Sequence, residues 1–287
     1  MQIGSKANPC LKHAGAGALP YVTEHLPRKM KRRFFFWLVI VIFSPFRCAS
    51  QTVPFAPGEM FCYEIKWNFL TSGSMKLRVV DEGEVAGEEI FHLQADTETR
   101  GFFRYLEPLR TKIESFVSQK DFFLLRYQFN CWAPREVKSE SIEYPRGQKK
   151  GLWHQEKYKK KKGLSIKNVT FEAPEFFQDP LSILYYLRTR ELKVGDQIKV
   201  PLILDRKNYT VTVKVLRRTK FKALGKVWDA FILQPGASLQ GVPFQQGSLW
   251  MWISADELRV PLYFSARASL GVLSCTLVEA KYARTGD

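Results

Sequence analysis

The sequence predicts an all-β protein, mainly antiparallel, whose large curved sheet forms a barrel or half-barrel with one short helix near 179–189. Three observations predict it. Forty of the 287 residues are aromatic, 22 of them Phe, and large rings favour strands over a helical bundle. Apolar and polar residues alternate in about a dozen short segments separated by turn residues. The helical stretches that a parallel sheet needs between its strands are missing from the pattern.

The first segment, 60–69, places Phe61, Tyr63, Ile65, Trp67 and Phe69 on one face and Cys62, Glu64, Lys66 and Asn68 on the other. Thr71, Ser72 and Gly73 supply a turn, and Met75, Leu77 and Val79 then alternate with Ser74, Lys76 and Arg78 to complete a hairpin. Further strands read at 90–99, 109–117, 122–132, 137–144, 151–158, 197–204, 209–217, 228–233, 249–254, 260–266 and 272–281. The helix reads at 179–188. Asp179 can cap free amides, Pro180 suits the first position, and Leu181, Leu184, Tyr185 and Arg188 share one face. A shorter helical turn fits 102–106.

At the N-terminus, Lys31, Arg32 and Arg33 precede ten uncharged residues, 34–43, and then a polar stretch ending in Cys48, Ala49 and Ser50. That is the layout of a secretory signal peptide or an N-terminal membrane anchor at 30–50. The apolar run falls short of the roughly 20 residues that span a bilayer. Residues 1–29 read as an upstream extension and 51–287 as a single antiparallel β domain. Acylation of Cys48 would need small residues before it, and Pro45, Phe46 and Arg47 stand there instead.

The headline net charge is +16, but residues 51–287 carry 36 Lys+Arg against 27 Asp+Glu, a net of +9. Much of the basic excess therefore belongs to the leader, and no nucleic-acid motif accompanies the remainder. The expected partners are envelope lipid, an anionic glycan or a membrane surface, with no nucleic acid. The composition, 45% hydrophobic and 25% charged, excludes wholesale disorder, a collagen-like repeat and a multi-span helical membrane protein. Three cysteines follow the leader, Cys62, Cys131 and Cys275, none at metal-ligand spacing with another.

No catalytic constellation reads from the sequence: a His-Glu-x-x-His pair, a Gly-x-Ser-x-Gly elbow and a phosphate loop are all missing. No catalytic residue, metal ligand or cofactor is assigned. The candidate ligand-binding residues are of three kinds. Lys157, Lys159, Lys160, Lys161 and Lys162 form the densest charge cluster, suited to phosphate groups or to a solvated turn. His92 heads a polar row with Gln94, Asp96, Glu98 and Arg100, which is either a site or the wet face of a strand. Trp67, Trp250 and Trp252 are large aromatics that line a cavity or fill a core.

Several stretches then resemble one family together. They are 54–59 leading into 63–67, 99–103 before Leu109 and Arg110, 178–182 with 185–188, 192–196, and 249–256 before 259–261. In this order and spacing, over about residues 53–281, the chain resembles the bacterial family called domain of unknown function 3108. The resemblance implies an exported protein of a Gram-negative envelope, periplasmic or membrane-associated, with no catalytic residues to carry over. Ala255 stands where the family pattern has an acid. The expected function is a non-enzymatic binding or structural module for an apolar or anionic envelope ligand, lipid or glycolipid. The alternative is a hydrolase or transferase acting on envelope glycan, with carboxylates paired across a cleft.

Overall fold

The period-two alternation that begins at Met60 becomes the first strand of one very large antiparallel sheet. A computed structural model describes residues 53–283 apart from 205, 240–241, 245–247 and 269–270; the leader lies outside the described residues. Residues 51–287 form one compact unit. Its strands are β1 (Met60–Trp67), β2 (Leu70–Val85), β3 (Glu88–Thr99), β4 (Arg110–Ser118), β5 (Leu124–Ala133), β6 (Glu136–Glu143), β7 (Lys150–Lys159) and β8 (Gly163–Glu172). They continue with β9 (Gln197–Leu204), β10 (Lys207–Ala223), β11 (Lys226–Leu239), β12 (Val242–Phe244), β13 (Ser248–Ser254), β14 (Pro261–Ala268) and β15 (Gly271–Lys281). Two short helices, α1 (Gly101–Leu106) and α2 (Ser182–Arg188), interrupt the series.

The strand order is β8-β7-β6-β5-β4-β3-β2-β1-β15-β14-β13-β11-β10-β9, with β12 paired to β11 alone. Sequential hairpins build each half, and the long-range pairing of β1 with β15 joins them. Register shifts at 62/63, 65/66, 79/81, 116/117, 215/217 and 252/253 each bend a strand. Such irregularities let a wide sheet coil on itself. No ladder joins β8 to β9 among the described residues, so the architecture is an open half-barrel.

Two expectations shift in the structure. The first hairpin turns at Asn68 and Phe69, with Asn68 in the left-handed region at φ 55°, a conformation Asn tolerates. Residues 71–73 lie instead within β2, where Gly73 leaves room for Glu98 O: a Cβ there would stand 2.5 Å from that oxygen. The second shift is β8, a strand absent from the sequence reading. Leu164, Ser165, Ile166, Lys167 and Asn168 are all exposed, so no buried stripe marks the segment.

The segment between β8 and β9 packs into the open side and touches the sheet through one parallel bridge, Gln178 beside Leu202 of β9. Phe177, Leu181, Leu184, Tyr185, Leu187 and Leu192 are buried in the same core cluster as Phe55, Phe61, Phe91, Phe122, Phe123 and Tyr144. Gln178 fastens the segment at both sides. Its amide donates to Pro201 O at 2.9 Å and its carbonyl accepts from Ile203 N at 3.0 Å, while its Nε2 donates to Phe122 O at 2.8 Å. Asp179 Oδ1 accepts from Leu181 N and Ser182 N at 2.7 and 3.1 Å, the capping role its position before Pro180 predicts.

Arg188, at the end of α2, has no exposed side-chain surface and forks onto Glu59, with Nη1 to Oε1 at 2.6 Å and Nη2 to Oε2 at 2.7 Å. Nη2 also donates to Leu258 O at 3.1 Å and Pro54 O at 3.4 Å. The rings of Phe55, Phe61 and Tyr185 surround the guanidinium at 5.0 to 5.2 Å. Beside it Tyr63 Oη donates to Pro261 O at 2.7 Å. Charges this deep persist only when paired and hydrogen-bonded, and the surroundings of this pair draw on three separate parts of the chain, 54–63, 185–188 and 258–261.

Candidate functional site

Along β3 the alternation sends Phe91, Leu93 and Ala95 into the core and His92, Gln94 and Asp96 to the outer face. There His92 lies between two carboxylates, Nδ1 at 3.2 Å from Asp81 Oδ1 and Nε2 at 3.0 Å from Glu114 Oε1, and stacks on Phe116 at 4.5 Å. Lys112 adds a 2.8 Å contact to Glu114, and Arg78 and Gln94 each donate to Asp96 at 2.7 Å. Every polar group in this row thus has a partner beside it. The network links β2, β3 and β4 on the face opposite the core.

The three tryptophans do not meet. Trp67 ends β1, paired with Leu70 and Leu273. Trp252 and Trp250 share one face of β13, opposite the buried Met251 and Ile253. Trp252 packs against Tyr263 at 5.0 Å and Phe221 at 6.0 Å, a cluster closed by its own rings. A shallow hollow of about 300 Å³ nearby is lined by Arg218, Lys226, Val227, Trp228, Asp229 and Ala255, with Asp256 at its edge. Its charges are internally matched. Asp229 contacts Lys220 at 2.9 Å and Arg218 at 3.6 Å, and the Lys220 hydrogen bond holds its carboxyl below the usual range.

The inner face of β5, β6 and β7 carries one buried polar contact. Trp153 Nε1 donates to Glu140 Oε1 at 3.0 Å, and Lys138 pairs with the other carboxylate oxygen. Arg206 from the β9–β10 turn covers the Trp153 ring at 4.4 Å. The three cysteines are free thiols; burial pushes Cys275 up to about 11, which suppresses its thiolate. Among the described residues no group of three or more His, Cys, Asp or Glu is placed to hold a metal ion, and no helix is long and apolar enough to cross a membrane.

The lysine run occupies the end of β7 and its turn into β8. Lys157 and Lys159 are ion-paired to Glu136 at 2.6 and 3.4 Å, and the Lys157 hydrogen bond lowers that carboxyl. Lys160, Lys161 and Lys162 are exposed and have no ion-pair partner among the described residues. The run therefore divides into two structural lysines and three free ones, a division its sequence does not show.

Next to that turn the outer face departs from the rule that solvent-facing strand positions are polar. Trp132, Val137, Tyr158 and Leu164 are direct cross-strand neighbours from β5 to β8, and all four are exposed. Arg110 of β4 continues the row, its guanidinium 5.7 Å from the Trp132 ring centroid. At about 4.8 Å per strand the five residues make a stripe of roughly 19 Å. Sequence reading could have found it as the apolar member of each outward-facing register, but only once β8 and the pairings were known.

Comparison with known proteins agrees with this architecture. A family model described as "Protein of unknown function (DUF3108)" matches residues 62–278. No curated protein matches the chain. Among solved structures, a β-barrel-like protein of domain of unknown function DUF1849 from Brucella abortus superposes with a TM-score of 0.51 at 10% identity, covering 79% of this chain and 98% of that one. A candidate exported protein with a YmcC-like fold from Bacteroides fragilis shares 8% identity, with a TM-score of 0.35 over 80% of this chain and 98% of its own. A candidate lipoprotein from Parabacteroides distasonis shares 9% identity, with a TM-score of 0.35 over 80% and 99%.

Proposed function

This chain belongs to the DUF3108 family of proteins of unknown function, and we propose that it is an exported, non-enzymatic module of the Gram-negative envelope that binds anionic lipid or glycolipid on the outer surface of its half-barrel. The observation that carries the reading is the exposed stripe Trp132, Val137, Tyr158 and Leu164 ending beside the unpaired Lys160, Lys161 and Lys162. Apolar stripe and free ammonium groups together match a ligand with an acyl part and a phosphate part. The inner face favours this surface over an internal ligand, because its apolar part is filled by the 173–196 segment and by Phe55. The glycan-hydrolase alternative asks for two carboxylates facing across a cleft. Asp81 and Glu114 instead share His92, one on each ring nitrogen, on the face of the sheet opposite the core.

The test is co-sedimentation of residues 51–287, which contain the whole described core, with vesicles of phosphatidylcholine alone or mixed with phosphatidylglycerol. Binding is expected on the mixed vesicles and not on phosphatidylcholine. At about 1 kcal/mol per lysine near an anionic surface, changing Lys160, Lys161 and Lys162 to Gln lowers affinity by on the order of 100-fold. Equal binding to both vesicle types, or no loss in the triple variant, would remove the reading.

A further inference from the structure

The lysine turn shares its end of the sheet with the β1–β2 turn and with α1, which connects β3 to β4. We propose that these two projections form a wedge that enters the bilayer itself, so that the half-barrel stands on an anionic membrane by this end. The proposal rests on the lipid reading above and names its physical source: an assembled bilayer, not a soluble phosphorylated glycan.

Four side chains carry it. Phe69 is 83% exposed at the hairpin tip, and Phe102, Tyr105 and Leu106 of α1 are 66%, 87% and 60% exposed. No residue of α1 is buried, so the helix contributes nothing to the protein's own core. Large apolar side chains grouped at one end and facing solvent mark a contact surface. A soluble sugar phosphate gains little from such groups, whereas the acyl boundary of a membrane takes up Phe and Leu, and Tyr suits the headgroup level.

The projections are braced. Thr99 N donates to Leu109 O, and Leu109 N donates to Thr99 Oγ1, both at 2.9 Å, which closes the neck of the α1 excursion. Arg100 N donates to Ser72 O at 2.9 Å and ties that neck to β2. Asn68 Oδ1 accepts from Val272 N at 2.9 Å, which fixes the tip carrying Phe69. A wedge held in this way loses little conformational freedom on docking.

Charge complementarity selects the bilayer's sign. Arg104 on α1, Arg135 in the β5–β6 turn and Lys160 to Lys162 are exposed at this end without ion-pair partners among the described residues. Glu98 is engaged with Arg100 at 2.9 Å and Glu136 with Lys157 and Lys159, so that the exposed Glu107 after Leu106 is the carboxylate left to set against these five cations. The unpaired positive groups border the apolar tip, where lipid phosphates would surround an inserted wedge.

The experiment uses residues 51–287 and the phosphatidylglycerol-containing vesicles, with near-UV circular dichroism confirming each fold. Phe102→Asp combined with Tyr105→Asp is expected to lower vesicle affinity at least about tenfold, and Tyr105→Phe to leave it unchanged. Tyr105→Trp is expected to add fluorescence that vesicles with brominated acyl chains quench beyond the wild-type level. Wild-type binding that survives the aspartates, or added fluorescence in the Tyr105→Trp variant that brominated chains do not quench, overturns the wedge while the lysine-dependent reading stands. Wild-type protein that ignores anionic vesicles overturns both. Wild-type protein that binds inositol hexakisphosphate in a lysine-dependent way but no vesicle overturns the bilayer as the source.

Discussion

Substituting Glu59 by Gln keeps the size of the side chain and removes the counter-charge of a guanidinium with no exposed surface. Arg188 would keep its carbonyl contacts to Leu258 and Pro54 and its three flanking rings, but those neutral groups cannot replace a carboxylate held at 2.6 and 2.7 Å. Breaking a buried pair from one side costs about 3 to 5 kcal/mol. With a urea slope of roughly 3 kcal/mol per M for a unit of this size, the unfolding midpoint falls by about 1 to 1.7 M. The assay is urea unfolding of residues 51–287 followed by tryptophan emission and circular dichroism. The companion is Glu59→Leu with Arg188→Met, which replaces both charges by apolar groups of similar volume and is expected to recover most of the loss. A Glu59→Gln midpoint within about 0.2 M of wild type would refute the reasoning. So would a double variant as unstable as the single, because the cost would then lie in packing and not in an uncompensated charge.

Two further predictions concern stability. Arg146 donates to Glu88 and Asp121, and these hydrogen bonds hold both carboxyls below their usual range. A carboxyl lowered in the fold contributes stability above the ordinary carboxylate pKa and loses it as pH falls through the lowered value. Arg146→Gln is therefore expected to reduce the urea midpoint at pH 7 and to converge on wild type as pH falls below the ordinary carboxylate range and through the lowered values; a gap that stays constant with pH speaks against it. Burial raises the Asp179 carboxyl, although Ser182 and the backbone amides of Leu181 and Ser182 oppose the rise. A raised carboxyl favours the fold at low pH and loses that contribution as pH rises, so Asp179→Asn should stay within about 1 kcal/mol of wild type at pH 7. Asp179→Ala, which removes the cap, should lose about 1 to 2 kcal/mol; equal losses in the two variants would show that the cap oxygen is not what matters.

The stretches through which the chain resembles its family acquire a physical meaning once their places are known. Glu59 from the first and Arg188 from the third form one buried ion pair that Pro54 O also meets, and Pro261 O from the last accepts from Tyr63 Oη beside it. Gln178 fastens the closing segment to the β4–β5 turn and to β9. These pieces hold the half-barrel together. Thr99 to Phe103 differs, because it ends on the exposed face of α1.

Local pattern alone determined the strands with one buried face, the cap at Asp179 and the antiparallel class, because each follows from alternation or from one residue beside its neighbours. Residues 164–168 gave no such sign: an exposed edge strand buries no stripe, so periodicity has nothing to report. Whether the sheet closes was likewise decided by tertiary structure, through the segment from β8 to β9 that fills the gap. The same holds for the lysines and tryptophans. Which of five nearby lysines stays unpaired depends on Glu136 in the adjacent strand, and which aromatics face water depends on register across four strands. Pairing energies and exposure are properties of neighbours brought together by the fold, and a linear sequence contains the residues without their distances.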